Sequence, residues 1–178
     1  MAESKGKCLR VLAAAATATM VLSGCAVAPY QVTLQHQFDA QQAQRLMQPG
    51  VNIVEGSALI RQQGGGVVTC AGQGVSLIPR TDYAAERTLY LWGNVTRGYS
   101  HVYAMNMQFT PDPPAYGQHV ARTICDAQGN FRFSNVADGE FFVVTVISWV
   151  VAGRVQGGGL FQAVSVSGGE VQQVVLSP

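Results

Sequence analysis

Beyond residue 50 the chain is built from short runs in which apolar and polar side chains alternate. Phe131 and Phe133 flank Arg132, and Val164 and Val166 flank Ser165, the period-two spacing of a strand with one buried face. Runs rich in valine, isoleucine, threonine and aromatic residues cover 51–60, 74–79, 120–125, 130–135, 141–151, 160–166 and 170–176. Turn formers stand between them: Gly64-Gly65-Gly66, Gln128-Gly129-Asn130, Asp138-Gly139, Gly157-Gly158-Gly159 and Gly168-Gly169. Seven strands with turn signals at this density predict an all-β fold, a seven-stranded Greek-key β-sandwich over 51–178. A span of roughly 128 residues suits one domain with its own core.

Two stretches leave the strand pattern. Asp39-Ala40-Gln41-Gln42 has the form of a capping box, Phe38 and Ala43 occupy staple positions, and Pro49-Gly50 closes the segment. This predicts a short helix over 39–47. In 81–92, Tyr83, Arg87, Tyr90 and Leu91 fall at helical spacing, with Thr81 or Asp82 available as N-cap and Gly93 as terminator. That second helix leads into 94–117, a long excursion carrying Tyr99, Tyr103, Met105, Met107, Phe109 and Tyr116 among several prolines. Loops of that length are commonly functional or disordered, and the aromatic content argues against disorder. Two readings stay open: a flap that covers one sheet of its own domain, or a contact surface for a protein or glycan. In the second, Trp92, Arg97, Tyr99 and Tyr103 are the residues expected to make contact, since aromatic and arginine side chains dominate interface hot spots.

The N-terminus has different physics. Residues 1–10 carry Lys5, Lys7 and Arg10, and 11–21 is apolar and uncharged. That run is shorter than the roughly 20 residues a spanning helix needs, and it suits a signal peptide. Leu22-Ser23-Gly24-Cys25 resembles the bacterial lipobox, a branched apolar residue and two small ones before a cysteine. The resemblance implies a signal peptide over 1–24 and a diacylglycerol on the Cys25 thiol, making the lipid bilayer the first partner. Residues 25–50, Gln-rich and nearly uncharged, then read as a tether. With Ala26 following the cysteine, the similarity to sorted proteobacterial lipoproteins favours the outer membrane in a Gram-negative host.

Removing the signal changes the charge. Both lysines, Arg10 and Glu3 leave, so eight arginines face nine carboxylates with no basic cluster. Nucleic-acid binding is disfavoured on that ground. Of the four cysteines, Cys8 leaves with the signal and Cys25 takes the lipid, so Cys70 and Cys125 remain. In an oxidising compartment the first reading is one disulfide, with two buried free thiols as the alternative.

Gly129-x-Phe131-x-Phe133-x-x-Val136-x-x-Gly139-x-Phe141-x-Val143 is similar to the signature of the carboxypeptidase regulatory-like, transthyretin-like (prealbumin-like) β-sandwich. Gly72-x-Gly74-Val75-x-Leu77-x-Pro79 and Val174-Val175-Leu176 resemble that family's opening and closing strands. The resemblance implies turns at both glycines, a phenylalanine-filled sheet face, and an accessory or structural role. Phe141 departs from the family's usual tyrosine, so that corner rests on packing alone.

Motifs for catalysis are missing from the chain. His36, His101 and His119 are dispersed and belong to no metal-binding pattern. Asp126-x-Gln128-Gly129-Asn130 lacks the alternating acids and distal Glu of a calcium loop. Asp138 and Glu140 flank a turn glycine and read as solvated. Neither a G-x-S-x-G elbow nor a phosphate loop is present. The chain is therefore expected to be non-enzymatic, with no cofactor and no metal. The first expectation is an envelope lipoprotein whose sandwich docks a protein partner as an accessory of an envelope assembly. The rivals are a carbohydrate- or peptidoglycan-binding module and a purely structural lipoprotein. Exposed aromatics aligned on one face would favour sugar binding, and an apolar rimmed patch would favour a protein.

Overall fold

The structure is a computed structural model that describes residues 28–178; the expected signal peptide and Cys25 lie outside the described residues. Within them the chain forms an all-β sandwich with a covering layer. Its elements are β1 (Tyr30–Thr33), α1 (Ala40–Leu46), β2 (Asn52–Arg61), β3 (Val67–Thr69), β4 (Gly74–Pro79), α2 (Asp82–Trp92), β5 (Arg97–His101) and a 3-10 turn (Val102–Met105). They continue with β6 (Met107–Thr110), α3 (Pro114–Gln118), β7 (Ala121–Ile124), β8 (Asn130–Val136), β9 (Gly139–Val151), β10 (Arg154–Val166) and β11 (Val171–Leu176).

One sheet runs β5-β10-β9-β4-β7; the facing sheet has β2 at its centre, with β11 on one side and β8 and β3 on the other. Alternation explains which side chains meet between them. Val54, Val75, Phe131, Phe133, Val143, Ile147, Leu160, Val166 and Leu176 are buried in one core, while Arg132 and Ser165 stay exposed. Every apolar residue of the Gly129–Val143 signature is buried. Gly129 and Gly139 take φ of +85° and +148°, conformations that a Cβ resists. The Gly129 turn is closed by Asp126, whose Oδ1 accepts the N–H of Gln128 at 2.9 Å and of Asn130 at 2.8 Å. The Asn130 bonds hold the Asp126 carboxyl below its usual range.

Cys70 follows β3 and Cys125 follows β7, so the two cysteines belong to opposite sheets. They form the expected disulfide, with Cα atoms 5.7 Å apart, inside the spacing such bonds need. A buried Asn52 ties another corner: its side chain donates to Val136 O at 3.0 Å and Asp138 Oδ1 at 2.8 Å, and accepts from the N–H groups of Gly169 and Glu170.

Four differences from the sequence reading have physical causes. The described residues hold eleven strands rather than seven, because β1, β3, β5 and β6 are three to five residues long and acquire strand form only from distant partners. The segment expected to be a tether is part of the fold from Tyr30 onward: β1 pairs in parallel with β6, from Tyr30↔Met107 to Thr33↔Thr110. The excursion 94–117 is not one loop but β5, the 3-10 turn, β6 and the start of α3 in series. Gly157-Gly158-Gly159, expected to separate two strands, lies within β10, and the turn is Ala152-Gly153 with φ of +47° and +74°.

Both helices form as the caps predict. Asp39 Oδ1 accepts the N–H groups of Gln41 and Gln42, each at 2.9 Å. Thr81 Oγ1 accepts the Ala84 N–H, and Gly93 closes α2 in the left-handed conformation. Helix α2 lies on the outer face of the five-stranded sheet, where Ala84 meets Phe142 and Phe161. That explains the apolar run Phe141–Val144 in β9: Phe141 and Val143 face one core, Phe142 and Val144 the other.

Candidate functional site

Strand β4 pairs with β9 only as far as Thr145, and β5 pairs with β10 only as far as Gly158. Beyond those points β9 and β10 pair only with each other and continue as a two-stranded arm. By register, Trp149 lies opposite Gln156 and Val151 opposite Arg154, on the inner side that carries Ile147 and Leu160. Tyr99 is opposite Leu160 and His101 opposite Gly158, so they share this side. The turn from β2 to β3 faces them, bringing Arg61, Gln62 and Gln63 across an open cleft of about 560 Å³. Gln62 holds that turn, its N–H donating to Gly66 O at 2.8 Å and its carbonyl accepting from Gly65 at 2.9 Å.

The glycine run makes this arrangement possible. A Cβ on Gly158 would stand 2.7 Å from the Tyr99 ring, and one on Gly159 would stand 3.3 Å from the Trp92 ring. Bare backbone here lets aromatic rings lie against both faces of β10. Tyr99 donates its hydroxyl to Gly157 O at 3.1 Å, and burial pushes its phenol pKa up. His101 stacks on Tyr103 with centroids 5.3 Å apart and an interplanar angle of 25°. Tyr103 is 62% exposed. The cleft thus offers ring faces from Tyr99, His101 and Trp149, with amides from Gln62, Gln63 and Gln156 and the Arg61 guanidinium beside them. No carboxylate lines it, so the carboxyl pair that glycoside hydrolysis uses is absent from it.

The four residues singled out in the insertion therefore separate. Tyr99 lines the cleft, Tyr103 stacks beside it, and Arg97 is exposed at the start of β5. Trp92 is on the opposite face, packed on Phe161 at 4.8 Å and donating its indole N–H to Gly159 O at 3.1 Å. Much of the insertion fills its own layer. Phe38, Tyr83, Phe109 and Tyr116 pack together around Arg87, whose guanidinium carbon is 4.1 Å from the Phe109 centroid and 4.7 Å from that of Tyr116. Arg87 also donates to Asp112 Oδ1 at 2.6 Å. Burial raises the Tyr116 pKa to about 12, against the opposing pull of Arg87. The covering-flap reading describes this part, and the contact reading keeps only the end near Tyr99 and Tyr103.

Trp149, Gln156 and the Arg61–Gln63 turn were missed from sequence, since their proximity arises from an overhang of one sheet past the other. The signal available was Trp149 itself, an indole near the end of a valine-rich strand.

A second groove, of about 600 Å³, crosses the outside of the smaller sheet between Glu55, Ser57, Ile124, Asp126 and Arg132. Its polar groups already serve one another: Arg132 pairs with Glu55, and Gln173 donates to Glu55 at 2.6 Å. Phe131, its lining aromatic, is buried. Among the described residues no cluster of three or more His, Cys, Asp or Glu is placed to hold a metal ion, and no helix is long and apolar enough to cross a membrane.

No family model matches the chain, and no curated protein matches it. Among solved structures the fold is similar to that of a proposed carbohydrate-binding protein from Pseudomonas aeruginosa. The TM-score is 0.67, over 80% of this chain and 99% of the other, at 19% sequence identity. At that identity the likeness is one of fold.

Proposed function

We propose that this protein is a lipid-anchored component of the cell envelope that binds carbohydrate, without cleaving it, in the cleft between Tyr99 and Trp149. The observation that carries the reading is the lining itself. Ring faces from Tyr99, Trp149 and His101 suit the apolar faces of sugar rings, and three glutamines with Arg61 supply donors and acceptors for hydroxyls. The structural likeness to a proposed carbohydrate-binding protein agrees with it. The lipobox-like Leu22–Cys25 sequence supports the anchor, and the buried signature residues support kinship with carboxypeptidase regulatory-like domains. Docking of a protein partner through the insertion, the other expectation, has less support, because Trp92 and the Arg87 cluster are engaged inside the fold.

The test is a glycan array, peptidoglycan fragments included, probed with the purified mature protein and with Tyr99→Ala and Trp149→Ala. Binding to at least one glycan class is expected, weakened tenfold or more in each variant at a temperature where it is folded, since Trp149 also packs on the core and its loss lowers the melting temperature. An empty array, or variants that bind as the parent does, refutes the assignment. Cys25→Ser tests the anchor: fatty-acid labelling should disappear, and retained labelling refutes it.

A further inference from the structure

The tip of the β9–β10 arm carries three exposed apolar side chains in succession around one turn. Val150 is 67% exposed and Val151 53%, with Val155 at 38% beside them. They surround the Ala152-Gly153 turn, and Arg154 is the only charged residue between Glu140 and Glu170. We propose that this tip, with Tyr30 and Tyr103, rests in the interface of the lipid bilayer to which the chain is anchored. The inference depends on the proposed acylation of Cys25.

Three observations place the bilayer at this end. The first is reach. Tyr30 is five residues from Cys25, and five extended residues span at most ~18 Å. Tyr30 is itself fixed: its N–H donates to Asn106 O at 2.9 Å, and its strand pairs with β6 from Met107 onward. The second is topology. Asn106 follows the 3-10 turn that leaves β5 at His101, and His101 lies opposite Gly158, where the arm begins. Tyr30, Tyr103 and the arm therefore share one end of the molecule.

The third observation is charge. The segments forming this end, 28–31, 60–68, 99–107 and 146–158, hold Arg61 and Arg154 and not one Asp or Glu. All nine carboxylates that follow the expected signal lie elsewhere in the chain. An end that is cationic and apolar, with two exposed tyrosines, matches an anionic headgroup layer: arginine reaches the phosphates and tyrosine seats at the interface. Val151 is on the side that carries Trp149 and lines the cleft, but Val150 and Val155 point away from it, so the arm can lie on lipid by its Val150–Val155 face with the cleft still open.

The test uses the full chain, exported and processed in cells, purified and reconstituted into vesicles of phosphatidylethanolamine and phosphatidylglycerol. A nitroxide is attached at Val150→Cys, and in a separate protein at Val175→Cys, an exposed position on the opposite sheet. Power-saturation spectroscopy then compares collision with oxygen, which enters lipid, and with a water-soluble nickel chelate. Val150→Cys should favour oxygen severalfold and Val175→Cys should favour nickel. If fatty-acid labelling confirms acylation but both positions favour nickel equally, the seating is wrong and the anchor stands. If the protein carries no fatty acid, the anchor falls and the seating falls with it.

Discussion

Replacing Asn52 with leucine is the most informative single perturbation of the fold. Asn52 is fully buried at the start of β2, where its pairing with β8 shifts register. One amide joins two turns: it donates to Val136 O and Asp138 Oδ1 at the β8–β9 turn, and accepts from Gly169 and Glu170 at the β10–β11 turn. Leucine has similar volume and makes none of these bonds. Each typical hydrogen bond contributes about 1 kcal/mol net. Gly169 and Glu170 are exposed and regain part of theirs from water, so the expected loss is ~3 kcal/mol. Typical domains are stable by roughly 5–15 kcal/mol, which makes this a large fraction. Urea unfolding at neutral pH should show the midpoint falling by about 1–2 M with the slope unchanged. Asn52→Asp, which keeps the acceptor but faces Asp138 with a second carboxylate, should be as damaging at neutral pH and partly recover in acid. A loss below about 1 kcal/mol for Asn52→Leu, with an unchanged slope, refutes the claim that this amide ties the turns together.

Three further outcomes are expected. The oxidised protein should show no thiol titratable at Cys70 or Cys125, and replacing both by alanine should lower stability by up to ~4 kcal/mol, since the bridge closes a loop of 55 residues; free thiols in the folded protein refute it. Glu86 is expected to latch the N-terminal segment. Burial alone would raise its pKa, but the N–H groups of Gln35 and His36 donate to it and hold it below 4.5. A lowered carboxylate stabilises above its unfolded value and stops doing so as pH falls through the folded one, so residues 30–38 should become protease-sensitive as the pH drops below the unfolded value and on through the lower folded one. Glu86→Gln should show that sensitivity at neutral pH, and equal resistance of parent and variant across the range refutes the latch. Finally, a Cβ at Gly158 would clash with the Ser100 carbonyl oxygen and stand 2.7 Å from the Tyr99 ring. Gly158→Val should therefore push β5 off β10, move Tyr99 and abolish glycan binding; a folded variant that binds as the parent does refutes the placement of the site at this strand pair.

What the sequence made readable was local. The α2 caps, Thr81 and Gly93, and the Asp39 cap of α1 stand beside the residues they cap, and the Gly129 and Gly139 turns carry their own signal. The all-β class and the Cys70–Cys125 bridge followed from period-two runs and cysteine arithmetic. What stayed hidden was set by partners far along the chain. The sequence Tyr30-Gln31-Val32-Thr33 is a strand because Met107–Thr110 lies alongside it. Gly157–Gly159 reads as a break, yet it lies within β10, where the carbonyls of Ile147 and Ser100, the Tyr99 ring and Met105 leave no room for side chains. The cleft was found only in part: Tyr99 and Tyr103 were picked out by composition. Trp149 faces Arg61–Gln63 across a gap made by two sheets of unequal length, which no local pattern encodes.

The parallel pairing of β11 with β2 bears on when this chain can fold. Val171 lies beside Ile53 and Leu176 beside Ala58, so the central strand of the smaller sheet waits for a neighbour about 118 residues downstream. A connection that long has a costly closure. The β9–β10 hairpin, joined by two residues, can form early on its own. As the chain emerges from its N-terminus, β2 has β3 and later β8 to pair with, but one edge of it stays open until the last residues arrive. The smaller sheet therefore completes its pairing only after β11 has been made. Deleting Val171–Leu176 removes this strand and leaves one edge of β2 unpaired.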